Sequence, residues 1–339
     1  MIENLLVTLL CIDKLLKLMK KYIAIVLMTA GLYTQAQEMT LPTFTQYLAD
    51  NEFVISPVYA GIGDYVKIRG NALTQWVGIK DAPDTQTLVG DVRLGQKSGV
   101  GGLIYNDKNG NTRQMGARVS FAHHLTLNNQ EDRFLSFGIS YNINQFRLEA
   151  KDFDTDGDGT PGVNDPGITD NRSTTNHNFD VGVLLRSGGF FASLNASNIL
   201  NKQLDLFAIN EPNTLRNYYL YTGYRYKKKI TSRFEWEPSV FYQLFESDGR
   251  SSTDVNMKMR FWDFEDYYWA GISYRFLNDQ FFTPLNIGPM MGMKKGAFYF
   301  AYSYQLITNE IQAYSTGTHM ITLGVDIFQG ISNCRCMMR

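Results

Sequence analysis

The chain has 339 residues, with 32 basic and 33 acidic side chains for a formal net charge of -1, 14% aromatic residues and 29 glycines. That balance removes any electrostatic case for nucleic-acid binding. A mean hydropathy of -0.23 excludes a helical membrane bundle but not a β-barrel, because half of each barrel strand is polar.

Lys20 and Lys21 precede an apolar stretch from Tyr22 to Leu32, followed by Thr34, Gln35 and Ala36. Charge, apolar core and small residue in that order read as a secretory signal over 19–36, cleaved after Ala36. Met19 opens this signal, so residues 1–18 read as a mistaken upstream extension; the alternative is an unusually long leading region. Cys11 does not suit a lipoprotein site, since Leu10 stands where a small residue is needed. Residues 37–63 carry the breakers Pro42, Pro57, Gly61 and Gly63 together with the aromatics Phe44, Tyr47, Phe53 and Tyr59. Too irregular for a strand and too apolar to float in the periplasm, this segment is expected to plug the periplasmic mouth of a barrel formed by residues 64–328, or to pack beneath it. A disordered lead-in is the alternative.

From 64 to 328 the chain alternates apolar and polar residues in short segments. Ile321, Leu323, Val325 and Ile327 fall on one face of the last segment, and Thr322, Gly324 and Asp326 on the other. Met115, Ala117, Val119 and Phe121 alternate with Gly116, Arg118 and Ser120 in the same way, as do Phe298, Phe300, Tyr302 and Tyr304 with Tyr299, Ala301 and Ser303. Lipid on one side of a wall and a polar lumen on the other require this period. The reading is an all-β fold, a transmembrane antiparallel up-and-down β-barrel in the bacterial outer membrane, with residues 329–339 as a tail.

Turn signals divide the barrel into strands near 64–79, 83–95, 99–106, 113–125, 133–150, 175–186, 189–200, 215–227, 230–245, 251–263, 266–277, 280–292, 296–308 and 317–328. That gives about fourteen, an even number as such barrels require, with twelve or sixteen as alternatives. Ser187–Gly188, Lys227–Lys229, Phe264–Glu265 and Met293–Lys295 read as tight periplasmic turns. Asp107–Thr112, Lys151–Thr174, Asn201–Thr214 and Asn309–Thr316 read as longer external loops. Thr126–Asp132 breaks the rule, being long for its side.

One loop carries a chemical motif. Asp154, Asp156 and Asp158 occupy positions one, three and five of a twelve-residue loop, Gly159 position six and Asp165 position twelve. This is the oxygen-ligand spacing of a calcium loop, in which Gly159 permits the sharp turn and Thr160 offers its backbone carbonyl. Pro161 and Pro166 argue against flanking helices, and Asp at position twelve weakens bidentate closure. A solvated acidic loop is the alternative. The sequence holds four histidines; His124 and Ser120 share a strand face, but no third member of a triad is in view. Cys334 and Cys336, one residue apart, are badly placed for a structural disulfide and lack a histidine neighbour for zinc.

Phe44-Thr45-Gln46-Tyr47, then Ile55-Ser56-Pro57-Val58-Tyr59-Ala60-Gly61, resembles the N-terminal signature of the PorP/SprF family of the Bacteroidetes type IX secretion and gliding system. In that family the place reads roughly Phe-Ser-Gln-Tyr, a spacer, then Asn-Pro-Ala-Tyr-Ala-Gly. Further likenesses come in family order: Gln75-Trp76-Val77-Gly78 with Ala82-Pro83-Asp84-Thr85-Gln86, Phe121-Ala122-His123-His124, Tyr218 to Tyr224, Pro238-Ser239, Trp269 to Arg275, and Ala301 to Tyr304. Asp81 stands where the family usually has Gly, and Gln305 where it often has Asp. The resemblance implies a fourteen-stranded, non-enzymatic accessory of type IX secretion. It also implies partners among secretion and gliding components and a large secreted adhesin with a C-terminal sorting domain. A passive channel or hydrophobic-solute transporter is the alternative, and a calcium-dependent surface adhesin a third.

Overall fold

The computed structural model describes residues 45–128, 130, 132–148, 172–200, 216–229, 231–247, 249–278, 282–308 and 310–331, all within one compact unit, Glu38–Arg339. The signal, the loop from Asp154 to Asp165 and the Cys334–Cys336 pair fall outside these residues.

Backbone groups inside a bilayer have no water to bond to, so each strand must pair on both sides. Fourteen strands meet that demand by closing on themselves. They are β1 (Tyr65–Thr74), β2 (Asp84–Leu94), β3 (Ser98–Asn109), β4 (Thr112–Asn128), β5 (Arg133–Leu148), β6 (Arg172–Ser187) and β7 (Phe190–Ser197), then β8 (Asn217–Tyr224), β9 (Phe234–Phe245), β10 (Ser251–Asp263), β11 (Asp266–Leu277), β12 (Thr283–Lys295), β13 (Phe298–Ile307) and β14 (Thr318–Phe328). Each pairs antiparallel with its neighbour in sequence. The seam joins β1 to β14, in register from Tyr65 opposite Phe328 to Thr74 opposite His319.

Period two sorts the side chains. In β5, Phe137, Ile139, Tyr141 and Ile143 point outward and are exposed, while Ser136, Ser140, Asn142 and Asn144 are buried inside. In β14, Ile321, Leu323 and Ile327 face out and Thr322 and Asp326 face in. Phe190, Tyr224, Phe234, Trp236, Tyr268 and Phe298 are exposed near the strand ends closest to the short turns, as an interfacial aromatic girdle requires. In barrels of this kind the short turns lie on the periplasmic side, and β1 starts at that end, so the N-terminal segment joins the wall there.

Several boundaries differ from the sequence reading. β1 stops at Thr74 rather than 79, because Trp76 turns into the left-handed region (φ 47) and Val77 exchanges backbone hydrogen bonds with the β13–β14 connection, donating to Gly317 O at 3.0 Å and accepting from Thr316 N at 2.8 Å. The long turn after Thr126 shortens, since β4 continues through a register shift between Thr126 and Asn128. Asp107–Thr112 is no long loop: β3 and β4 extend to Asn109 and Thr112, and Gly110 (φ 58) makes the turn. β12 runs through Lys295 and turns at Gly296 (φ 59) instead of at 293–295. The β8–β9 connection covers 225–233 and is longer than the three lysines suggested.

The buried apolar core lies inside the wall. Tyr47, Leu48, Phe53, Val54, Ile55, Val58, Ala60 and Ile62 pack against Leu73, Val89, Leu103, Leu184, Phe191, Tyr219, Phe241 and Met320. The N-terminal segment therefore fills the barrel.

Val119 is 67% exposed within the outward apolar run of β4. Val119→Arg is expected to destabilise the barrel by about 2–4 kcal/mol, the cost of a cation near the midplane, measured by urea titration of refolding into lipid vesicles. A change below about 0.5 kcal/mol would place β4 out of contact with lipid.

Candidate functional site

Residues 45–62 form three short 3₁₀ turns, Thr45–Ala49, Glu52–Val54 and Pro57–Tyr59. The last is locally encoded. Ser56 caps it, its Oγ accepting from Val58 N at 3.4 Å, and Pro57 supplies a preset φ at the first position. Gly61 (φ 73) then releases the chain toward β1. Its backbone conformation suits glycine, and an added Cβ would meet Gly99 Cα at 2.6 Å.

Turns this short leave carbonyls without internal partners, and the wall supplies donors to them. Arg118 on β4 donates through Nη2 to Phe53 O at 2.6 Å and Val54 O at 2.9 Å, and its guanidinium lies 5.4 Å from the Phe53 ring centre. Lys258 on β10 donates to Ala49 O at 2.6 Å. Lys67 on β1 reaches Ile62 O, and His124 on β4 donates from Nε2 to Ala60 O at 3.0 Å. Side chains add to this clamp: Arg260 Nη2 to Asp50 Oδ1 at 2.9 Å, Ser56 Oγ to Asn195 Oδ1 at 3.0 Å, Tyr59 Oη to Ser193 Oγ at 2.9 Å and Gly61 N to Asp91 Oδ2 at 2.9 Å. Burial pushes the Tyr47 and Tyr59 hydroxyls well above the ordinary tyrosine range, so both stay protonated.

The wall makes room for this segment with glycines. A Cβ at Gly99 would stand 2.2 Å from Ala60 O, at Gly101 2.5 Å from Phe53 Cζ, and at Gly138 2.5 Å from Val58 N. At Gly99 and Gly138 backbone thus lies directly on backbone, and at Gly101 the Phe53 ring does, contacts that any larger residue would break. Gaps of about 30 Å³ beside Glu52 and Arg225 and about 50 Å³ beside Val54 and Arg118 hold little more than a few waters.

The acids of the wall are arranged around the same cations. Glu237 binds Lys258 at 2.9 Å and Arg225 at 2.8 Å, and Arg225 also faces Glu52 of the segment at 3.5 Å. Arg260 joins Glu235, and Arg69 pairs with Asp326 at 2.6 Å while lying over the Tyr299 ring at 4.3 Å.

The calcium-type residues Asp154, Asp156, Asp158, Thr160 and Asp165 lie outside the described residues; among the described residues no cluster of three or more His, Cys, Asp or Glu could hold a metal. His124 and Ser120 do share the lumen face, yet the histidine pairs elsewhere: its Nδ1 meets Ser136 Oγ at 2.8 Å. Because Ala60 O can only accept, Nε2 carries a hydrogen, and the ring serves to hold the segment. The sequence reading did not identify the wall residues that receive this segment. Arg118, Lys258, Arg260, Gly99 and Gly138 all fall on polar faces of alternating strands, which is the one signal that pointed to them.

No curated protein matches the chain in sequence. Solved structures similar to it include the CymD monoaromatic hydrocarbon channel, 9% identical over 86% of this chain and 94% of that one, with a TM-score of 0.46. A Pseudomonas aeruginosa FadL homologue is 9% identical over 87% and 96%, also at 0.46. CdiB from Acinetobacter baumannii is 7% identical over 77% and 60%, again at 0.46. At these scores the likenesses say nothing about what this barrel binds or passes. The family described as type IX secretion system membrane protein PorP/SprF matches residues 36–325, a range that includes the clamped segment 45–62. The chain belongs to the PorP/SprF family of type IX secretion membrane proteins and resides in the bacterial outer membrane.

Proposed function

We propose that the protein is a non-enzymatic docking partner of type IX secretion, helping a large adhesin with a C-terminal sorting domain to be exported or held at the surface. Periplasmic components of the secretion and gliding machinery are its second class of partner. Family membership supports the setting. The observation that carries the reading is the clamped segment: charged donors from β1, β4 and β10 hold its carbonyls, and each such hydrogen bond contributes about 1.5–3 kcal/mol. So heavily anchored an obstruction does not suit a steadily open pore, although plugged barrels also serve as gated transporters.

Gly138→Val tests this without touching a charged group. The new side chain overlaps Val58 N and Pro57 C, so the segment is expected to leave while the wall closes as before. Amides of 53–62 should lose hydrogen-exchange protection about a hundredfold or more, as the clamp's hydrogen bonds are lost. In planar bilayers the wild type should be electrically silent and the variant should conduct. Deleting the gene should abolish surface display of the cognate adhesin. A steady open pore in the intact protein, with adhesin display unaffected by deletion, contradicts the reading.

We further propose that Asp154, Asp156, Asp158, the Thr160 carbonyl and Asp165 bind one calcium ion that orders the β5–β6 connection. The support is their spacing alone. Calorimetric titration should give one site in the wild type and none in an Asp156→Asn, Asp158→Asn variant; identical isotherms would remove calcium from the account.

A further inference from the structure

At the end of the wall opposite the short turns, the outward faces of β3, β4 and β5 carry an arrangement that neither the family nor the clamp explains. Lys108 stands opposite Arg113, and Arg113 opposite Arg147, so three cations form one cross-strand row. All three are exposed. Like charges directly opposite one another destabilise a sheet, and among the described residues acids stand at only one end of the row. Lys108 lies 4.0 Å from Asp81, itself half exposed, and opposite Asp84. Asp84 is occupied by Thr74 Oγ1 at 3.3 Å and Gln86 Nε2 at 2.7 Å. Arg113 is steered by Asn106, which accepts from its Nε at 2.7 Å and leaves both terminal nitrogens of the guanidinium to other acceptors. Arg147 has no acidic partner among the described residues.

The level of this row matters as much as its charge. Two positions along each strand the outward residues are Asn106, Met115 and Gln145, and two further along they are Ile104, Ala117 and Ile143. Apolar wall thus begins about 13 Å from the cations, measured along the strand. On the neighbouring β6 the change of polarity is marked by His177, bonded through Nδ1 to Tyr141 Oη at 2.6 Å. The cations therefore look outward into the headgroup layer of the outer leaflet, where the complementary charge is lipid phosphate. We propose that Lys108, Arg113 and Arg147 bind the phosphate of a phosphorylated glycolipid in that leaflet, with acyl chains lying on Ile104, Ala117, Val119 and Ile143. Arginine suits the role, since its planar fork matches phosphate oxygens in pairs.

The full-length protein in mild detergent is incubated with lipid A carrying its phosphates, or with the same lipid dephosphorylated, and bound lipid is counted by native mass spectrometry. The wild type should retain the phosphorylated form about tenfold more than the other, as charge-assisted bonds to phosphate require. Lys108→Gln, Arg113→Gln, Arg147→Gln should fall to the dephosphorylated level. Arg147→Gln alone, the milder variant, should show an intermediate loss, and Lys228→Gln, Lys229→Gln at the opposite end should match the wild type. Heat-modifiable gel mobility verifies barrel closure in each. Equal retention of the two lipids by the wild type, or wild-type retention by variants at the row, overturns the proposal.

Discussion

Cations facing the inside of a narrow closed wall have little bulk water to turn to, and here backbone carbonyls of the N-terminal segment take its place. Lys258 is 4% exposed and would be strongly unfavourable if unpaired. It is satisfied by Glu237 from its own wall and by Ala49 O from the segment. Arg118 serves two carbonyls in the same way and keeps Asp180 at 3.9 Å. Remove the segment, and the wall's acids still balance much of the charge, but the donors aimed at its carbonyls must find water. The segment loses more, because its short 3₁₀ turns and its apolar residues have no stable fold without the wall.

Much of this was visible in the chain itself, and the reasons are physical. Period two identifies a strand wherever one face meets lipid, so all fourteen strands could be found from outward runs such as Ile321, Leu323, Val325 and Ile327. Ends were less legible. Trp76 and Gly78 continue the pattern of β1 for a few residues, and only a contact with the distant Gly317 draws them into a loop. The extension of β4 past Thr126 depends on a register shift that alternation cannot reveal. The N-terminal segment was read as too broken for a strand and too aromatic for solvent, whereas the wall residues it meets were not legible. Lys258 and Ala49 lie 209 positions apart, and nothing local to either residue indicates the other. Ser56 in place of the family's usual Asn is a mild departure, since serine caps the Pro57 turn as asparagine would.

The two ends of the barrel differ in what they offer a partner. The end with the short turns presents the junction of the N-terminal segment with β1 and an aromatic girdle, and so combines a wall with a peptide anchored in it. The other end presents longer connections and the basic row Lys108, Arg113 and Arg147. The proposed docking role would use both kinds of surface, one toward the periplasm and one toward the outer leaflet.

The central claim is that residues 45–62 sit inside the barrel while the protein works. Ser56 Oγ lies 3.0 Å from Asn195 Oδ1, so Ser56→Cys with Asn195→Cys, in a background where Cys11, Cys334 and Cys336 are serine, measures that position directly in outer membranes of secreting cells. Near-complete disulfide formation under mild oxidant, with neither cysteine open to thiol labelling, is the result expected. Two freely labelled cysteines that fail to join, in a barrel that still shows its folded gel mobility, would contradict the account.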